Sequence, residues 1–390
     1  MRTPWKSVLG LALLAPLVGE FLLGNVAIRE IGALILLAPF YGGGALLVRE
    51  VARRTGKGWP TLLVLGLAYG LVEAGVFDGS LFSTAYEGVD YDAVRIPVLG
   101  VSGFYGLQFV LNHAVWSIGI PILLTETLTS RNRTTTPWLG RFGLAVTTAV
   151  YLAAGLLIRY DSVQSGEYHV TWAQGIGVAV VALVLIWIAL LLPSPEPKRQ
   201  PARDREPALQ HEPALHHEPA LHHEPALHHE PALHHEPALH HEPALQLERE
   251  PRRQREPRPS PRGSDRWVPR PWLVGVVGFG LSSAYLVLPA TWPGVALTVT
   301  IVALAAWLIV WLGRRAGWQS RHEIALAGGA LMTYAWAGFL LTTLKHRADP
   351  VAFTGNGVFT VAAAALVALA FRCRSAVTGA TQEAESSRKA

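Results

Sequence analysis
The chain has 390 residues, 51% of them hydrophobic and only 16% charged, with a formal net charge of +5. A mean hydropathy of +0.29 argues against a string of soluble domains and for membrane-embedded helices. The single cysteine, Cys373, excludes an intrachain disulfide and any metal site built from several cysteines.

Ten runs of about twenty mostly apolar residues, each bounded by charge, Pro or Gly, match the ~30 Å hydrocarbon core at 1.5 Å per residue. In chain order they are expected at 7–24, 31–48, 60–77, 102–125, 139–158, 171–192, 271–288, 294–312, 322–344 and 356–372. The fold class is therefore an all-α membrane protein, about ten transmembrane helices arranged as six plus four, with backbone hydrogen bonds closed inside each helix. The first run follows Arg2 and Lys6 as a signal peptide would. It continues past Glu20 to Leu23 without an A-x-A site, so it reads as a retained span. Trp5, Trp59, Trp138, Trp272, Trp292 and Trp318 fall near predicted span ends, where indole rings favour the headgroup level.

Sidedness follows from the basic residues. With a cytoplasmic N-terminus, and leaving out the long linker, the inner segments carry sixteen: Arg2, Lys6, Arg49, Arg53, Arg54, Lys57, Arg131, Arg133, Arg141, Arg314, Arg315, Arg321, Arg372, Arg374, Arg388 and Lys389. The outer segments carry five: Arg29, Arg95, Arg159, Lys345 and Arg347. The positive-inside rule then places both termini in the cytoplasm of a cell-membrane protein. Basic residues beside apolar runs point to anionic lipid as the partner, with a membrane protein or peptide as a further one, and not to nucleic acid.

The expected organisation is a six-helix bundle at 1–193, a linker at 194–266, a four-helix bundle at 267–375 and a cytoplasmic tail at 376–390. From Glu206 to Leu247 the linker repeats a hexapeptide, with five clean copies of E-P-A-L-H-H between two edge variants. A proline every six residues removes a helix donor each time, so a disordered cytoplasmic tether is expected. Eleven of the fifteen histidines lie in this array. They suggest a weak Zn, Ni or Cu sink or, more plainly, a spacer with no preset ligand geometry, so no metal or cofactor is assigned.

Ionisable groups inside spans are expensive and mark candidate sites. Nearly all of them precede residue 130: Glu20, Glu73 with Asp78 just beyond, then Gln108, Asn112, His113, Ser117 and Glu126. Gln108 and Asn112 share a helix face, as do His113 and Ser117. Glu20 and Glu126 are expected at the interfaces, reaching water. The later spans offer mainly Tyr285, Tyr334 and Trp336. A carboxylate facing an imidazole across two helices can activate a water or simply fix helix packing. Gly66 and Gly70 form a G-x-x-x-G in the third span, which suggests close approach to the fourth. Gly42, Gly43 and Gly44 after Pro39, and Pro121, suggest either broken helices or local kinks. The outer loop, with Glu87, Asp90 and Asp92 beside Tyr86, Tyr91 and Tyr105, reads as solvated charge or a cation site.

Glu73-Ala74-Gly75-Val76-Phe77-Asp78-Gly79 resembles the E-E-x-x-F-R-G motif of the CAAX-protease and bacteriocin-processing family. Here Ala74 stands at the second Glu and Asp78 at the Arg. Phe109-Val110-Leu111-Asn112-His113 is similar to its F-x-x-x-H motif, and no third His motif follows. The resemblance covers residues 60–125 at most. It implies a glutamate-dependent intramembrane endopeptidase, or an inactive relative, in which Glu73 activates water, His113 assists and Asn112 sits beside them. If the third span ends at Phe77, Glu73 and His113 are separated by ~9 Å along the membrane normal at 1.5 Å per residue. The gap closes only if that span continues through Leu81 or Phe82. A transporter with its site among the first four spans and a non-enzymatic membrane scaffold are the other open readings. No P-loop, Rossmann fingerprint or H-E-x-x-H occurs to favour other classes.

Overall fold
The computed structural model describes residues 4–86, 89–129, 136–165, 170–194, 267–315 and 317–386. The hexapeptide array and its linker, Arg131, Arg133 and Glu87 lie outside them. Nine helices among the described residues are long and apolar enough to cross a membrane. They are α1 (Trp5–Leu22), α2 (Ile28–Arg54), α3 (Trp59–Phe77), α4 (Gly103–Thr129), α5 (Arg141–Gln164) and α6 (Trp172–Leu191), then, after the intervening α7, α8 (Trp292–Gly313), α9 (Ser320–Leu344) and α10, whose apolar span is Pro350–Arg374. The helix α7 (Pro271–Leu286) is equally apolar but only 16 residues long. The chain is a multi-pass helical membrane protein, and α10 continues as helix to Ser386, beyond the expected end of the last span.

Side chains set several helix starts. Ser102 Oγ accepts the Tyr105 N–H at α4, and Thr171 and Gln174 cap one another at α6. Thr291 Oγ1 accepts the Gly294 N–H at α8, with Pro293 in the first turn. Asp349 Oδ1 accepts the Val351 and Ala352 N–H groups at α10 and pairs with Arg29. Each cap satisfies a backbone donor that the first helical turn leaves open. The Ala352 N–H above all, and then Val351 and Arg29, hold the Asp349 carboxyl below the ordinary Asp value.

Between α3 and α4 the chain makes two short antiparallel ladders. In β1 (Ala85–Tyr86) with β2 (Val89–Asp90), Ala85 pairs with Asp90; in β3 (Arg95–Ile96) with β4 (Val101–Ser102), Arg95 pairs with Ser102. Asp92, offered above as part of a cation site, instead pairs with Arg95 at 2.9 Å.

Helices α1 to α4 and α9 form the interior, whereas α5, α6 and α8 turn most of their apolar surface outward. Helices α7 to α10 pack with the first six in one compact unit: α10 lies along α4, and α9 contacts the end of α1. Glycines set the closest crossings. A Cβ at Gly329 would lie 2.1 Å from Gly275 O, and one at Gly42 would lie 2.3 Å from Ala12 Cα. Gly42 and Gly44 therefore serve close packing against α1 and the Tyr69 ring, within a helix that runs on through both.

A charged network lies buried where α2 and α4 end. Glu126 accepts from Arg49 Nε at 2.8 Å, Arg53 Nε at 3.0 Å and Arg53 Nη2 at 2.9 Å. Glu50 accepts the Trp138 and Leu139 N–H groups at 2.7 and 3.3 Å and pairs with Arg49 and Arg54. The Arg49 guanidinium stacks 3.4 Å over the Trp138 ring and is wholly buried. This corrects the expectation of a solvated Glu126: α2 and α4 run longer than their apolar cores, and residues 136–139 fold back over their ends. Charges shielded from water hold only when every partner is present. Glu126→Ala is expected to cost about 3–5 kcal/mol by leaving Arg49 and Arg53 uncompensated, read as a lower unfolding midpoint in detergent micelles.

Candidate functional site
Four π-helical turns mark the first four helices: Leu17–Leu22 in α1, Ala38–Gly42 in α2, Glu73–Phe77 in α3 and His113–Gly119 in α4. Such turns insert one residue into the helical repeat, are locally wider than an α-helix and are frequent at functional sites. Proline accompanies three of them: Pro16 just before the first, Pro39 inside the second and Pro121 just after the fourth. Proline lacks the N–H and crowds the carbonyl four residues back, which a wider turn relieves. Each turn contributes one polar side chain to a single cluster: Glu20, Tyr41, Glu73 and His113.

The Tyr41 hydroxyl is the centre. It lies 2.7 Å from Glu20 Oε1, 3.1 Å from Glu73 Oε1 and 3.4 Å from His113 Nε2. Glu73 Oε2 and His113 Nε2 are 3.0 Å apart. A hydroxyl has one proton to donate, so Tyr41 satisfies one carboxylate and its contact with the other requires a proton on a carboxyl. His113 Nδ1 lies 2.6 Å from Phe109 O. A carbonyl only accepts, so Nδ1 carries a hydrogen, and Nε2 is either the acceptor of a neutral ring or the second donor of an imidazolium. Either way the imidazole nitrogen stands 3.0 Å from a Glu73 carboxylate oxygen.

Two polar atoms of the site have no hydrogen-bond partner among the described residues. Glu73 Oε2 sits beside the imidazole but off its N–H direction, and the Tyr69 hydroxyl has no acceptor. Both side chains are buried, and they lie four residues apart on one face of α3. An acceptor and a donor left open together suit one small group that can be both, such as a water molecule. Around them stands an aromatic wall: Phe40 stacks on Tyr151 at 5.5 Å and meets Phe77 edge-on at 5.3 Å, and the Tyr41 ring lies 5.8 Å from His113.

The structure thus brings Glu73 and His113 together across the separation of ~9 Å estimated for a third span ending at Phe77. The helix does end there, but the chain stays within the protein. The Leu81 N–H bonds Ala74 O at 2.9 Å, and Leu81 and Phe82 are buried over the end of α3. Glu73 therefore lies beneath a cap of protein. Close crossing does the rest: a Cβ at Gly70 would lie 2.8 Å from His113 Cβ and 2.9 Å from Val110 O.

Asn112 is a correction. One residue from His113 it points about 100° around the helix, toward α7, where its Oδ1 accepts from the Tyr285 hydroxyl at 3.0 Å. Gln108, on the same face, reaches Tyr285 O at 3.5 Å. Glu20 is also corrected, from an interfacial carboxylate to a partner of Tyr41. Tyr41 and Tyr69 were missed by sequence reasoning. One signal was present for Tyr41: it is the only polar side chain between Glu30 and Arg49. Among the described residues no three His, Cys, Asp or Glu side chains are placed to hold a metal ion.

Residues 9–200 match an uncharacterized membrane protein family. That stretch holds all four π-helical turns, and the family's description names no activity. No curated protein and no solved structure matches the chain.

Asp78, just past α3, accepts the Ser80 N–H at 2.8 Å. Burial, and after it the Glu73 carboxylate, pushes its carboxyl up to about 8. A carboxyl raised on folding contributes stability that is present at low pH and lost as pH rises through its folded value. The unfolding midpoint in micelles is expected to fall between about pH 4 and about pH 8, and Asp78→Asn to flatten that fall. Gly70→Ala should cost about 1–3 kcal/mol through overpacking, whereas Gly32→Ala, with no atom within 4 Å of the new Cβ, should leave the midpoint at or above that of the parent.

Proposed function
We propose that the chain is a membrane-embedded hydrolase that cleaves peptide bonds within the bilayer, with Glu73 and His113 as its acid–base pair. The observation that carries this reading is Glu73 Oε2, a buried carboxylate oxygen with no aligned donor, 3.0 Å from an imidazole nitrogen. A general base needs a free lone pair within reach of the proton it removes. A water held between Glu73 Oε2 and the Tyr69 hydroxyl loses a proton to Glu73, and its oxygen adds to the substrate carbonyl carbon. The imidazolium of His113 then gives its Nε2 proton to the leaving amine as the C–N bond breaks, and the proton held by Glu73 restores it. The motif resemblance to the CAAX-protease and bacteriocin-processing family supports the same assignment. Asn112 has no part in it.

The proposal places the chain in the cell membrane with both termini in the cytoplasm, on the strength of the sixteen-to-five division of basic residues. The hexapeptide array is then a cytoplasmic tether between α6 and α7.

The test uses the purified chain in lipid nanodiscs with a library of apolar peptides, products being read by mass spectrometry. Glu73→Gln and His113→Ala are each expected to lower cleavage by about 10²–10⁴-fold. Cleavage unchanged in Glu73→Gln overturns the reading. The bridging of two carboxyls by Tyr41 favours a second reading, proton-linked transport. That reading expects proton-dependent uptake in proteoliposomes to be lost in Glu73→Gln and kept in His113→Ala.

A further inference from the structure
The hydrolase reading uses Glu73, His113 and Tyr69 and leaves Glu20 and Tyr41 without a role. Yet these two hold the shortest contact of the cluster, 2.7 Å, and only one of them is fully enclosed. Tyr41 is buried among Phe40, Tyr69 and His113. Glu20 is partly exposed and lies in the last turn of α1.

Beyond Glu20 the chain turns to a polar edge. The Asn25 backbone N–H donates to Glu20 O at 3.0 Å, and Asn25 Oδ1 accepts from Lys345 Nζ at 3.1 Å. Arg347 donates to Asn25 O at 3.2 Å. The α1–α2 and α9–α10 loops are thereby joined at one membrane face. Gly24, at φ +78° and with Gly338 O 2.7 Å from where a Cβ would stand, makes the turn that admits this contact. A line of polar contacts therefore runs from His113 through Glu73 and Tyr41 to the partly exposed Glu20, one turn before the polar edge at Asn25. Phe40, Phe77 and Tyr151 pack ring to ring, and Phe40 also meets Tyr41 edge-on.

We propose that Tyr41 and Glu20 form a proton relay connecting the Glu73–His113 pair to the membrane face that carries Asn25 and Lys345. It rests on the acid–base reading of that pair and deepens it. The cleavage steps return the Glu73 proton to His113, so the relay serves to set the protonation state of the pair before each substrate arrives, from a carboxyl that is itself buried beneath Leu81 and Phe82. In one transfer, the proton on Glu73 Oε1 passes to the Tyr41 oxygen while the Tyr41 hydroxyl proton passes to Glu20 Oε1. One O–H bond breaks and one forms at each step, Tyr41 ends unchanged, and the net movement is one proton from Glu73 to Glu20. Glu20 then releases it at the Asn25 edge. Tyr41 and Glu20 are positioning and transfer residues for the pair, and neither meets the peptide.

The test follows hydrogen–deuterium exchange of the buried carboxyl groups by infrared spectroscopy after the full chain in nanodiscs is mixed with D2O. Tyr41→Phe keeps the ring and its packing and removes the transferring oxygen. It is expected to slow exchange of the slowest carboxyl band by about tenfold or more, and Glu20→Gln to slow it likewise. Asn112→Ala, a polar deletion next to His113 and off the path, is expected to exchange as the parent chain does. Parent-like exchange in Tyr41→Phe overturns the relay, as does equal slowing in Asn112→Ala. Peptide cleavage plays no part in this readout. Failure of the relay thus shows in exchange, and failure of the hydrolase reading shows in the Glu73→Gln cleavage experiment.

Discussion
A polar side chain in hydrocarbon has no water to turn to, and its hydrogen bonds must be found within the protein. The first four helices are arranged around that constraint. Glu20, Tyr41, Glu73 and His113 come from four different helices and meet at one hydroxyl, Tyr41 Oη, which touches all three partners. Straight α-helices would carry these side chains past one another. Each helix instead widens by a π-helical turn at the residue it contributes, and glycines at 42, 44 and 70 let the backbones approach far enough for the contacts to close.

Helix α2 ties two polar layers together. Its middle supplies Tyr41, and its end supplies Arg49, Glu50, Arg53 and Arg54 to the buried ionic network with Glu126. The two layers differ in kind. The ionic network is saturated, with Glu126 taking three guanidinium hydrogen bonds and Glu50 two backbone ones. Saturation suits a fastening between helix ends. Among the described residues the Tyr41 cluster leaves one acceptor and one donor open, at Glu73 Oε2 and Tyr69 Oη.

The later helices cover and brace this core. Ser282, Ser283 and Thr333 bond across α7 and α9 at 2.6 and 3.1 Å, and Trp336 Nε1 donates to Ser283. Trp116 of α4 stacks on Tyr334 of α9 at 4.4 Å and donates to Ala330 O. Tyr285 takes up Asn112 and so turns that residue away from its neighbour His113. Hydroxyls, amides and glycines are the means by which helices adhere where apolar burial favours lipid as much as protein.

The helical spans were legible because hydrocarbon thickness imposes a length and an apolar content that any sequence must display. The α1 and α3 boundaries fell within two residues of their expected ends for that reason. Glu73 and His113 stood out in the sequence as candidates because an ionisable residue in an apolar run is costly. Their meeting was not, because depth counted along one helix does not register a buried turn at Leu81 and Phe82 or the widening of four helices. Glu126 and Glu20, placed near water by distance along the chain, and Asn112, placed by adjacency to His113, were decided by which neighbour each side chain faces. Sequence alone determined that the chain enters the membrane, since that depends on composition over twenty residues at a time. Only the tertiary structure decided which polar groups share a hydrogen bond, since that depends on ångström distances between helices far apart in the chain.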